Sequence, residues 1–270
     1  MSNEWGAEVN SALSTQHSAL RVDGLRRQFG GLTALGGVSF SVAPGERRAI
    51  IGPNGAGKTT LFNVISGELA PTDGRVYLEG EDVTDLPNYE RARLGLARTF
   101  QRNNLFLGLS VRENVRLAVQ ARRGVAHRIW SRVDSLAVVT AETDQVLGEL
   151  GLAERGGVLV RNLSYGEQRQ LEVAIAVASR PRVLLLDEPT AGMSPAETTA
   201  MVRLVSALPA ELTLLIIEHD MDVVFALADR ITVLHYGEVL ADGEPETVRG
   251  NPRVAEVYMG LEAQVMSDES

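Results

Sequence analysis

The stretch RRAIIGPNGAGKTTLFNVISGEL, residues 47–69, constrains this chain more than any other. A run of strand-forming residues stops at Gly52, a glycine-rich loop follows, and Leu61, Phe62, Ile65 and Leu69 then recur at helical spacing. Strand, tight loop and helix in that order predict a helix N-terminus at the carboxyl end of a buried strand, the geometry of an α/β sheet. Residues Gly52 to Thr59 fit G-x-x-x-x-G-K-[ST] in full. Gly52, Gly55 and Gly57 let the backbone curl so that successive N–H groups point inward and form an anion nest. Lys58 is the only lysine among 26 basic residues. An ammonium on a flexible stem follows phosphate oxygens in a loop too tight for the planar guanidinium fork. Asn54, Ala56 and Thr60 complete the candidate nucleotide-contacting loop, and the Thr59 hydroxyl is a candidate ligand for Mg²⁺. A glycine turn capping an ordinary helix is the plainer alternative, and the complete motif in its strand-to-helix context outweighs it.

Composition bounds the rest. The 270 residues are 44% apolar, enough for one large α/β domain or a core with a subdomain. The formal net charge of −9 argues against long-range attraction to nucleic acid or anionic lipid. The absence of cysteine removes disulfides, thiolate metal sites and cysteine nucleophiles, and suits a cytoplasmic protein. The longest apolar runs, such as LTLLII at 212–217, fall far short of the ~20 residues that cross a bilayer. Residues 1–19 have neither a basic nor an apolar leader pattern and read as a flexible tail.

From Leu20 the pattern is strand-like, with Gly and Pro at the breaks, which predicts an antiparallel opening sheet. The segments VRENVRLAVQARR and AETDQVLGELGL are amphipathic at helical period and predict a helical subdomain over 105–160. From Arg182 on, the runs RVLLLDEP, LTLLIIEHD and RITVLHYG read as buried parallel strands between helices. The expected organisation is therefore a core of residues 20–104 and 161–250 carrying an antiparallel β-subdomain, the helical subdomain inserted in it, and a C-terminal helix and tail over 251–270.

The strand Val183 to Leu186 delivers Asp187 to its carboxyl end, where α/β sheets bind ligands. Asp187 is expected to support Mg²⁺ and the adjacent Glu188 to polarise an attacking water. Two acids after a strand mean little alone; opposite a complete phosphate loop they read as a site. In LSYGEQRQLEVAIAVAS, Ser164 and Glu167 form a capping box before an apolar helix, and with Gly166 that helix start is also a phosphate-binding surface. A lone His219 at a strand end is usually structural, and a lone Gln101 is usually a loop residue.

The combination resembles the nucleotide-binding subunits of ABC transporters: GPNGAGKTT their Walker A, LSYGEQ their signature, VLLLDEP their Walker B and catalytic glutamate, and IIEHD their switch histidine. The resemblance covers residues 20 to about 243. It implies a P-loop NTPase fold of ABC type: a mixed core sheet, an antiparallel β-subdomain and a helical subdomain. It implies an ATPase requiring ATP and Mg²⁺, with Glu188, His219 and Gln101 catalytic, Gln101 also at the metal, and Phe29 stacking on adenine. It further implies a dimer in which Ser164, Gly166 and Glu167 meet nucleotide held by a partner's loop. Tyr165, Glu167 and Ser194 depart from the common pattern, which has glycine, glutamine and a loop aspartate there.

Those departures, with ARTFQRNNLF, GMSPAE, EHDMDVVFALADRITVLHYGEVLADG and NPRVAEVYMG, are similar to the LIV-type group, importers of branched-chain amino acids and related amides. The implied partners are two transmembrane permease subunits, a second and usually different ATP-binding subunit, and indirectly a solute-binding protein, with no nucleic acid. The implied location is peripheral, on the cytoplasmic face of the membrane. An exporter ATPase, such as a lipopolysaccharide extractor, is the alternative; a soluble ABC ATPase acting on DNA or ribosomes is a distant one. Leu105, Phe106 and Leu107 read equally as a partner patch or as a loop folded on the helical subdomain. The arginines at 91, 93, 98, 102, 122, 123, 128 and 132 read mostly as a solvated, salt-bridged face.

Overall fold

The computed structural model describes residues 18–99, 105–124 and 133–257 and has a four-stranded and a six-stranded sheet packed with helices. Strands β1 (Leu20–Phe29) and β2 (Leu32–Val42) form an antiparallel hairpin, extended by β4 (Asp73–Leu78) and β5 (Glu81–Asp82) in the order β2-β1-β4-β5. Register explains its buried face: Leu20 opposes Val42, Val22 opposes Phe40 and Leu25 opposes Val38, and all six side chains are buried.

The second sheet has six strands in the order β10-β9-β3-β8-β7-β6: β3 (Arg47–Ile51), β6 (Leu96–Arg98), β7 (Val183–Asp187), β8 (Thr213–Ile217), β9 (Arg230–His235) and β10 (Glu238–Gly243). Its strands run parallel except for the antiparallel β9–β10 pair at one edge. The continuous apolar runs of β7 and β8 are buried on both faces, as parallel strands require. Their alternation divides two cores. Leu184, Leu186, Leu214 and Ile216 face one cluster, and Val183, Leu185, Leu215 and Ile217 face the other, with Phe62 and Ile65. The mixed core sheet and antiparallel subdomain are thus as expected from the sequence.

The helices are α1 (Lys58–Ser66), α2 (Asn88–Arg93), α3 (Val111–Arg122), α4 (Val133–Glu149), α5 (Tyr165–Ala178), α6 (Pro195–Ser206), α7 (Met221–Leu227) and α8 (Pro245–Arg249). Helices α3, α4 and α5 pack through Val115, Val119, Val139, Leu147 and Leu171. A capping box between Ser110 and Glu113 starts α3. Leu105 packs against this helical core, as the folded-loop reading has it, whereas Phe106 and Leu107 are exposed. Residues 252–257 are helical, and Val254 packs with Val248 and Ile231; Tyr258 lies outside the described residues. Among the described residues no helix is long and apolar enough to cross a membrane.

Arg91 departs from the solvated reading. It is 1% exposed and donates to the carbonyls of Val64 and Ile65 at the end of α1 and of Thr84 and Leu86 in the preceding loop. A guanidinium there satisfies carbonyls that the helix end leaves orphaned. Burial pulls its pKa down to about 10, still charged at neutral pH. Arg122 and Arg123 do form the expected salt bridges, both to Glu142. Arg102, Arg128 and Arg132 lie outside the described residues.

Candidate functional site

In the six-stranded sheet β3 pairs with β8 and β8 with β7, so the carboxyl ends at Ile51, Ile217 and Asp187 are neighbours. After β3 the chain turns through Gly52 at φ 150°, where a Cβ would lie 2.2 Å from the Leu234 carbonyl oxygen. Only glycine allows so close an approach. Helix α1 then starts at Lys58 behind Gly57, with no side chain bonding its first-turn amides and no acid in that turn. Those N–H groups and the positive dipole end are left for an anion.

A cleft of about 330 Å³ opens over this loop, lined by Phe29, Leu32, Asn54, Gly55, Ala56, Gly57, Lys58, Thr59, Thr60 and Glu188. Phe29, the last residue of β1 and half exposed, lies in its wall, with the Arg27 guanidinium 4.6 Å from the ring centroid. Lys58 Nζ donates to the Gly52 and Pro53 carbonyls, at 2.6 and 3.0 Å. Burial lowers its pKa, while the Glu188 and Asp187 carboxylates act in the opposite direction.

Asp187 closes β7 and is almost wholly buried. Its Oδ2 accepts from Arg98 at 2.8 Å, and its Oδ1 is buried with no hydrogen-bond partner among the described residues. A buried unpartnered carboxylate oxygen beside a phosphate loop suits a hard cation. Mg²⁺ is bound by one or two protein oxygens and keeps waters and phosphate oxygens in the rest of its shell. Asp187 and the Thr59 hydroxyl are the residues that would hold it; Gln101 lies outside the described residues.

Glu188 adopts φ 46°, a left-handed conformation costing a non-glycine residue about 1 kcal/mol or more. Its backbone N–H bonds to the Ile217 carbonyl at 3.0 Å, anchoring this turn to the end of β8, and its side chain enters the cleft wall. The residue that follows β8, Glu218, is fully buried and was invisible to sequence reasoning. Its carboxylate accepts from the Thr190 amide and hydroxyl at 3.0 and 2.5 Å and from the His219 amide at 3.0 Å, tying together the loops after β7 and β8. His219 Nδ1 lies 3.7 Å from Glu218, and its ring is largely exposed.

Ser164, Gly166 and Glu167 line no part of this cleft. Ser164 caps α5: its Oγ accepts from the Glu167 amide at 3.2 Å, and the Glu167 carboxylate accepts from the Ser164 amide at 2.8 Å and pairs with Arg155 at 3.0 Å. Glu167 is therefore occupied within its own helix start. Ser194 plays the same capping part for α6 with Glu197, a role that serine and aspartate share. Arg98, like Arg91, departs from the solvated reading: its side chain is buried, and besides Asp187 it donates to Asn63 Oδ1 at 2.7 Å and pairs with Glu68 at 3.2 Å. The pattern S-x-x-E at 194–197 was a readable sign of Glu197; nothing in the sequence marked Arg98 or Glu218.

Comparison with known proteins places this geometry in context. The profile described as "ABC transporter" matches residues 35–191, and one described as "Branched-chain amino acid ATP-binding cassette transporter" matches residues 238–264. The chain is 41% identical over 249 residues to the high-affinity branched-chain amino acid transport ATP-binding protein BraF of Pseudomonas aeruginosa, covering 89% of this chain and 97% of that one. It is 40% identical over 250 residues to LivG of Escherichia coli, a protein of the same description, with the same coverage. Among solved structures it is similar to a nucleotide-free ATP-binding cassette from an ABC transporter (TM-score 0.77, 31% identity, 89% of this chain and 98% of that one). It is likewise similar to the ADP conformation of such a cassette (TM-score 0.76, 33% identity, 90% and 99%).

Proposed function

Because the chain belongs to the ABC transporter family, as an ATP-binding subunit whose ATPase activity is coupled to transport, we propose that it powers an importer of branched-chain amino acids or related amides. The cargo assignment is supported by the names of the BraF and LivG relatives and by the C-terminal profile. Cargo selection would belong to two membrane-spanning permeases and a solute-binding protein, with this chain docked beneath them on the cytoplasmic face.

One observation carries the mechanism: the cleft gathers the phosphate loop, Lys58 and Glu188, while Ser164 and Gly166 lie outside it. One subunit thus presents two half-sites, and a second subunit would supply the half that each cleft lacks. Phe29 would stack on the adenine, and the loop amides with Lys58 would hold the β- and γ-phosphates. The partner's signature would close over the γ-phosphate. Glu188 would take a proton from the attacking water as it adds to the γ-phosphorus, the bond to the ADP oxygen breaking in line, giving ADP and phosphate. His219 would orient that water. Bound Mg²⁺ would neutralise charge developing on the phosphate oxygens. Binding of ATP would join the subunits and hydrolysis release them, which converts chemistry into motion of the permeases.

The test is to capture tagged Glu188→Gln protein with ATP from gently solubilised native membranes and identify the co-purifying chains by mass spectrometry. Two permeases of an amino-acid importer and a second ATP-binding subunit are expected. Exporter subunits, or ribosomes and nucleic acid, would overturn the transport assignment.

A further inference from the structure

The start of α5 is not open in the way the start of α1 is. A single carboxylate, Glu197 of α6, lies across it: Oε1 accepts from Ser164 Oγ and from the Gly166 amide, both at 3.0 Å. Its Oε2 accepts from the Ser194 hydroxyl at 2.8 Å and the Ser194 amide at 3.1 Å. The side chain passes so near that a Cβ on Gly166 would lie 2.7 Å from Glu197 Cγ and Oε1. Gly166 is therefore glycine partly because Glu197 covers it. Four donors on two adjoining helix starts hold the carboxylate ionised, with its pKa drawn down to about 2, chiefly by the Ser194 amide and hydroxyl.

A serine hydroxyl has one proton to donate and an amide has one N–H. Those two donors are the ones the sandwich reading assigns to the γ-phosphate of the partner's nucleotide, and here both are given to Glu197. Carboxylate and phosphate are alike as anionic oxygen acceptors, and the two cannot occupy the same donors together. We propose that Glu197 is an internal counter-ligand of the signature: in the separate subunit it fills the place of the γ-phosphate, and closure on ATP requires its Oε1 to leave Ser164 and Gly166. The inference rests on the sandwich reading above. It gives the subunit a device that keeps the signature closed to stray anions, makes closure dependent on a stronger, multiply charged ligand, and links the signature to the Ser194 loop through one side chain.

Glu197→Gln separates this role from simple capping, because glutamine at the same position still closes a capping box while losing the charged acceptor. In the full-length Glu188→Gln protein, ATP-driven association with its partner subunit, or with a second copy, is followed by sedimentation with and without Glu197→Gln. The expected result is association about tenfold tighter, since charge-assisted bonds no longer have to be broken. Nucleotide affinity of the separate subunit should stay close to that of the parent, while its thermal midpoint at neutral pH falls, by less than in Glu197→Ala. Glu197→Ala should tighten association likewise, even with a lower midpoint. Association unchanged or weakened by both variants overturns the counter-ligand role while leaving the sandwich intact. Absence of ATP-driven association in the parent itself overturns the sandwich, and this inference with it.

Discussion

Two helix starts in this molecule are built from opposite materials. That of α1 is made of backbone alone: Gly57 caps it, and among the described residues no side chain bonds its amides and Asp187 Oδ1 has no partner. That of α5 is closed by side chains, with Ser164 and Glu167 in a capping box and Glu197 laid across the remaining donors. Both ends carry the same positive dipole. The difference teaches that a helix N-terminus becomes a ligand site by what is withheld from it; the first is open before any partner arrives, and the second has an occupant to lose.

Substitution at the open end should have the largest effect. Lys58→Ala removes the one ammonium in the cleft, and nucleotide affinity should fall at least about 100-fold with turnover abolished, read by equilibrium binding and phosphate release. Near-normal turnover would contradict the site. Next in size, Glu188→Gln should lower hydrolysis by roughly 10²-fold or more with ATP affinity retained, which single-turnover assays separate from binding.

The ion pair beneath the open site comes third. Arg98→Ala leaves Asp187 buried without its cation and should lower unfolding stability by about 3 kcal/mol in urea titration; a loss under about 1 kcal/mol would show that the pair contributes little. At the closed end Ser164→Ala removes a helix cap and should cost about 1 kcal/mol.

The smallest effect is one of pH. The Glu197 carboxyl sits at about 2 in the folded chain against an ordinary 4.5. Its folded pKa is depressed, so its stabilisation is complete above pH 4.5 and is lost as pH falls toward 2. The difference in thermal midpoint between the parent and Glu197→Gln should hold constant from pH 8 to 5 and shrink below pH 4.5. A difference that grows in acid would contradict the hydrogen bonding described.

The open end was legible in the sequence because backbone geometry dictates its residues: glycines where a Cβ cannot fit, and a buried strand that delivers Asp187 and Glu188 to the sheet edge. The two-sided burial of β7 and β8 was equally plain from their continuous apolar runs. Arg98 was not legible, since its partners Asn63 and Asp187 lie 35 and 89 residues away and only the fold brings them together. Arg91 misled for the same reason: a charged residue in a basic stretch reads as solvated until the helix end it caps is known. Glu218, beside the more conspicuous His219, gave no sign that it was the buried one.

The most direct measurement of the two-half-site account exploits the absence of cysteine. Asn54→Cys places a thiol in the open cleft and Tyr165→Cys places one at the exposed start of α5. In the Glu188→Gln chain carrying both, assembled with its partner subunit or a second copy, short bis-maleimide cross-linking is followed with and without ATP and Mg²⁺. The account predicts a cross-link between subunits, dependent on ATP, joining a loop of one to a signature of the other. A cross-link that forms equally without nucleotide, or none at all with ATP bound, would contradict it.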